Sequence, residues 1–148
     1  MVKTFDDLSL ENQTNYEELL VYLMNYALHH NIGVEWTREL PPYAPPVSFD
    51  RPGKLIIMNA NWNNIVDIPF QFAHEIGHVL HESSQYYNLN KRTTNKGEDF
   101  ANKFAIKLLQ QYCINHEYHY STWFSFARAF KIPSHLFYLF SSIRIKNV

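Results

Sequence analysis

Cysteine is almost missing from this chain: Cys113 is the only one in 148 residues. No internal disulfide can form and thiolates cannot build a metal site, which fits a reducing cytosol. Net charge is nearly missing too, at −1 with the histidines neutral, so there is no bulk electrostatic case for nucleic acid or a membrane surface. The longest uncharged apolar stretch, Ile132 to Ile143, is broken by Pro133, Ser134 and His135. It falls short of the roughly 20 residues that cross a bilayer. Met1-Val2-Lys3-Thr4-Phe5-Asp6-Asp7 places acids where a signal peptide needs an apolar run. Repeats and low-complexity tracts are lacking as well. The expectation is a soluble cytoplasmic protein. With 46% hydrophobic and 16% aromatic residues it is no disordered tail. Its length suits one domain, 1–148, better than two.

The apolar pattern predicts mainly helices. Leu19, Leu20, Leu23, Met24, Ala27 and Leu28 recur at helical spacing, giving a helix from Ser9 or Thr14 to His30, with Gly33 as its stop. Leu40 to Pro46 holds four prolines and reads as a turn-and-edge segment. Val47-Ser48-Phe49, a turn at Asp50-Arg51-Pro52-Gly53, and Lys54 to Asn59 read as strand, turn, strand, with Val34-Glu35-Trp36 a third strand. The fold class expected is α+β: mostly helical, with a small three-stranded antiparallel sheet. Leu55 to Met58 is the expected edge of any cleft. A helix with Pro69 in its first turn runs to Glu82, the polar stretch Ser83 to Lys96 reads as a loop, and a helix resumes near Glu98. A helix pair at about 120–143 closes the chain.

The chemistry concentrates in His74-Glu75-Ile76-Gly77-His78, an H-E-x-x-H. Residues four apart on a helix share a face, so two imidazoles can reach one zinc ion at about 2.0–2.1 Å. Glu75 leaves the axis about 100° from His74 and is placed to act as general base on a water activated by that ion. Roughly 3% of shuffled sequences would contain the pattern, so it needs a second signal beside it. A catalytic zinc usually takes three protein ligands. Glu98 is the candidate for the third, with Asp99 next; the rival reading is that Asn95-x-x-Glu98 is a helix cap. His81, further along the same face, reads as a residue that supports the ligands from behind or packs beside them, because a rise of about 10.5 Å from His74 is too far to share an ion. His116 and His119 read as surface residues, although one of them, or Tyr112, Tyr118 or Tyr120, is a possible donor to an oxyanion. Ser121, Ser125 and Cys113 have no neighbouring base. Arg128, Lys131, Arg144 and Lys146 are too scattered for a nucleic-acid face.

Two blocks carry a more specific signal. Phe72-Ala73-His74-Glu75-Ile76-Gly77-His78-Val79-Leu80-His81 resembles the H-E-x-x-H core of the ImmA/IrrE metallo-endopeptidases, and Glu98-Asp99-Phe100-Ala101-Asn102-Lys103-Phe104-Ala105 resembles their later E-x-x-A-N-x-F-A block. Ile56-Ile57-Met58-Asn59 is similar to the strand before the motif helix. The resemblance covers about residues 32 to 113. It implies a zincin-like fold, Zn²⁺ held by His74, His78 and Glu98, and Glu75 as the catalytic residue; imidazole and carboxylate ligands also suit Mn²⁺ or Fe²⁺. Ala127 to Pro133 is similar to the family's helix-turn-helix-like ending. Gln110-Gln111-Tyr112 departs from the Met-Pro common after the second block, which puts the cleft rim in doubt. The short architecture is similar to members carried by phages and mobile elements. That implies a protein substrate, a helix-turn-helix repressor encoded nearby. The competing expectation is a non-proteolytic anti-repressor that grips its target without cleaving it. Nothing in the sequence bears on oligomeric state.

Overall fold

A computed structural model describes residues 4–82 and 91–141. Helix α1 spans Leu10–His29, strands β1, β2 and β3 span Gly33–Thr37, Val47–Phe49 and Leu55–Asn59, and α2 and α3 span Ile68–Glu82 and Lys91–Asn115. Helix α4 (Trp123–Ala129) and a 3₁₀ helix, Ser134–Ser141, complete the described chain. One cluster of buried side chains runs from Leu19 in α1 to Phe140.

Ser9, not Thr14, caps α1, its hydroxyl accepting from the Asn12 amide at 3.2 Å. The buried stripe is a single i, i+4 row, Leu19, Leu23 and Ala27, while Met24 and Leu28 stay exposed. The helix ends at His29, and the residue that terminates it is Asn31, not Gly33, which instead opens β1. Asn31 takes a left-handed φ of 59°, and the Ile32 and Asn31 amides bond back to Ala27 and Leu28 at 2.9 and 3.1 Å. The same pair of bonds ends α3 at Glu117 and α4 at Lys131, with φ of 59° and 55°. Ile32 and Ile132, next in line at two of these ends, are buried, and their burial offsets the left-handed strain.

The sheet is mixed, not antiparallel. Its order is β1-β3-β2, with β1 parallel to β3 and β2 antiparallel to it. The reason lies in the proline-rich connection from residue 38 to 46. It carries the chain over the end of β3, so the β2–β3 hairpin inserts β3 in the middle. Asn59, fully buried at that end, holds the connection there. Its side-chain amide donates to the carbonyls of Pro41 and Ala44 at 2.8 and 2.9 Å, and its side-chain oxygen accepts from the Asn61 amide at 2.8 Å. β3 is therefore central, and β2 is the open edge beside α2, contrary to the expectation for Leu55–Met58.

Two further differences concern helices. α3 begins at Lys91, so Lys91–Lys96 is helical where a loop was expected; the rest of that expected loop, 83–90, lies outside the described residues. The last element is 3₁₀ rather than α, starting with a Leu136 amide bond to Pro133 at 2.9 Å. Its three-residue turn sets Leu136 and Leu139 on one buried face. Residues 142 and 143 of the expected helix pair lie outside the described residues.

α1 is tied to the far end of α3 by Glu18, whose Oε1 accepts from the Tyr112 and Tyr118 hydroxyls at 2.6 and 2.7 Å. These bonds, Tyr112's first, favour the ionised form and hold Glu18 below the ordinary carboxylate value of 4.5. Its contribution to stability is thus full above that value and is lost as pH falls through the lower folded value. Thermal melts of Glu18→Gln against the native chain should show a deficit at pH 7 that closes as the pH is taken well below 4.5. A deficit unchanged across that range would show the ionised carboxylate to be irrelevant.

Candidate metal centre

α2 presents the H-E-x-x-H to α3. The 3₁₀ turn Ile65–Asp67 starts it, anchored by the Tyr16 hydroxyl on the Ile65 carbonyl at 3.0 Å and by Trp62 Nε1 on Asp67 at 3.0 Å. Phe72, Ala73, Ile76 and Val79 are fully buried, which fixes the helix rotation and leaves His74 and His78 on the cleft side.

Small residues bring the two helices together. A Cβ on Gly77 would meet the Ala101 Cα at 3.0 Å and Phe104 atoms at 3.1 Å, tight contacts that would require the neighbours to give by a few tenths of an ångström. Ala101 and Ala105 are fully buried in α3. At this spacing Glu98 reaches both rings: Oε2 lies 3.1 Å from His74 Nε2 and Oε1 lies 2.7 Å from His78 Nε2. Because α3 starts at Lys91, Glu98 sits well inside the helix, and Asn95-x-x-Glu98 is no cap. Asp99 points elsewhere, pairing with Lys103 at 3.4 Å and accepting from the Tyr138 hydroxyl at 3.3 Å.

The ligand atoms of His74, His78 and Glu98 all lie within 4.8 Å of one another. Ligands about 2.0–2.1 Å from a tetrahedral ion stand roughly 3.3 Å apart, so the group fits one divalent cation with little movement. Hydrogen bonds from His74 and His78 hold Glu98 far below the usual carboxylate range, keeping it anionic. Glu75 behaves oppositely. It is 8% exposed, and burial pushes its carboxyl up, against the smaller pull of His74 and His78. The Ser48 hydroxyl of β2 hydrogen-bonds to it.

The cleft measures about 570 Å³. Pro45 to Ser48 form one wall, Phe70, Gln71 and the motif residues the floor, and Asn102, Pro133, His135 and Leu136 the opposite side. Ser48, Asn102 and His135 were not singled out from sequence. Asn102 lies one helical turn after Glu98 and could have been flagged on that spacing; Ser48 and His135 carry no local signal. The residues expected as oxyanion donors are not in the lining. Tyr112, Tyr118 and Tyr120 border a separate cavity against α1, and His116 lies 3.7 Å from Glu18. His119 is exposed, and His81 stacks on Phe100 with centroids 4.4 Å apart.

A helix carrying paired imidazoles and a buried carboxylate, packed on a small mixed sheet, is the framework of a metallopeptidase. Residues 38–140 match the Peptidase_M78 family model, the IrrE N-terminal-like domain, and the chain belongs to this ImmA/IrrE family of metallopeptidases. Membership implies a metal ion and a protein substrate. No curated protein and no solved structure matches the chain. Among the described residues no helix is long and apolar enough to cross a membrane.

Gly77→Ala tests the close approach. The added methyl should force α3 away from α2 and cost about 1–3 kcal/mol of stability, partly offset by up to about 1 kcal/mol of helix propensity. Affinity for a divalent cation, read by chelator competition, should fall with it. An unchanged affinity would show that Glu98 does not depend on this contact.

Proposed function

We propose that this protein is an intracellular zinc-dependent endopeptidase that cleaves one specific protein, a helix-turn-helix repressor of a phage or mobile element. The observation that carries the reading is the convergence of His74 Nε2, His78 Nε2 and Glu98 beside the buried Glu75. The target class rests on the likeness to short family members. His74, His78 and Glu98 hold the cation, with Zn²⁺ favoured by two imidazoles and one carboxylate and Mn²⁺ or Fe²⁺ suited to the same set. When bound, it supplies Lewis acidity that polarises a peptide carbonyl and acidifies water.

Glu75 does the proton work. Its raised carboxyl takes a proton as water adds to the carbonyl carbon, then passes it to the amide nitrogen as the C–N bond breaks, giving a carboxylic acid and an amine. Burial makes it a stronger base than a surface carboxylate, against a smaller opposing effect of Ser48. An extended peptide lies along the open edge of β2, main chain against main chain, which carries the scissile bond past Glu75. An anti-repressor that only binds has no use for a buried base in this position.

Incubation of the zinc-loaded protein with the repressor encoded beside it should yield two fragments by mass spectrometry; a stable complex without fragments would establish the binding role instead. Glu75→Gln should keep one zinc per chain by elemental analysis while cleavage falls roughly 10²–10⁴-fold. His78→Ala should lose the zinc, and stoichiometric metal in that variant would remove His78 from the ligand set.

A further inference from the structure

The other side of the His74 ring holds an unresolved hydrogen-bond problem. His74 Nδ1 is buried and no described residue hydrogen-bonds to it; the same is true of Gln71 Oε1. Both belong to α2 and both residues line the cleft. Two histidines just past helix ends are settled differently. His30 Nδ1 and His116 Nδ1 each reach the carbonyl four residues back, at 2.8 and 2.9 Å. His74 makes no such bond to Phe70.

Two buried polar groups of complementary kind, three residues apart on one helix face, are close neighbours. A buried ring N–H without an acceptor costs about 1–3 kcal/mol, so the pair has a strong reason to meet. Which of them donates follows from the ring. With Nε2–H donating to Glu98, Nδ1 is a lone pair and needs nothing from an acceptor. For Nε2 to offer its lone pair to a cation, the single ring proton must sit on Nδ1, inside the protein. Only then is a nearby acceptor required.

We propose that Gln71 is the positioning residue of His74: its Oε1 accepts Nδ1–H and so selects the tautomer whose Nε2 can bind a metal. The proposal rests on the metal-site reading above. Ligand imidazoles gain basicity and a fixed ring orientation from such a partner, and losing it typically weakens metal binding roughly tenfold to a hundredfold.

The probe is Zn²⁺ alone, in competition with a chromophoric chelator, on the full chain. Gln71→Met keeps the side-chain length and removes the acceptor; its zinc affinity should fall by about tenfold or more. Gln71→Glu restores an acceptor and should bind at least as tightly as the native chain. The signature that a merely structural role would not produce is spectroscopic. In ¹⁵N–¹H spectra of the zinc-loaded native protein, His74 should show a slowly exchanging Nδ1–H, which is lost or exchange-broadened in Gln71→Met. Native-like affinity and an equally protected Nδ1–H in Gln71→Met would overturn the proposal. If Gln71→Met fails to fold, a tenfold weaker Gln71→Glu does so in its place. A native chain that takes up no zinc sinks the metal-site reading itself, and is thereby distinguished from failure of Gln71 alone.

Discussion

The candidate centre depends on the close approach of α2 and α3, which is tightest where Gly77 meets Ala101 and Phe104. Glutamate has a short reach, and Glu98 meets both imidazoles because the α3 backbone at Ala101 lies against the bare α carbon of Gly77. Two glycine- and alanine-bearing faces therefore act as a spacer with little freedom to adjust, since close-packed interiors transmit a misfit of one methyl group to their neighbours. Everything on the cleft side follows. The rings are held apart from the core by buried Phe72, Ile76 and Val79, and Glu75 is left between the helix and the sheet edge with burial raising its carboxyl.

A second constraint acts at the sheet. Asn59 spends its side chain on the proline-rich connection, whose carbonyls have few other donors because prolines supply none. Holding that connection over the end of β3 makes β3 central and turns β2 into the open edge that faces α2. Ser48 thereby comes within hydrogen-bonding reach of Glu75 although 26 residues of chain lie between them. The buried amide at the strand end and the base on the next helix are thus parts of one arrangement. Moving the connection would change which strand forms the cleft wall.

How much could be read in advance differs by element. The strands at Val47–Phe49 and Leu55–Asn59, and the helix carrying the histidines, were legible because β-branched alternation, turn residues and a helical apolar period are local properties. The early start of α3 was not. Lys91-Arg92-Thr93-Thr94-Asn95-Lys96 has weak helix propensity, and propagation from the strongly patterned segment after Glu98 extends the helix backwards at small cost. The end of α1 near His30 was legible too, but not the residue that stops it, which is Asn31 and not Gly33. Glycine is the usual left-handed residue, but Asn31 accepts that conformation when Ile32 is buried immediately after it. The direction of β1 against β3 depends on which strand the hairpin places in the middle, a non-local outcome without a residue pattern of its own.

By itself the sequence determined the chemistry of one helix face: two imidazoles a turn apart with a carboxylate between them, since an α-helix of any origin puts those residues there. It also marked Glu98 as the acid to watch, through the block that follows it. Only the tertiary structure decided that Glu98 and not Asp99 faces the rings, that β2 and not β3 borders the cleft, and that Asn102 and His135 line its far side while the tyrosines of α3 and its C-terminal end border a different cavity. Those choices rest on helix rotation, interhelix distance and strand order. Each is set by burial of side chains distant in the chain, which no local spacing encodes.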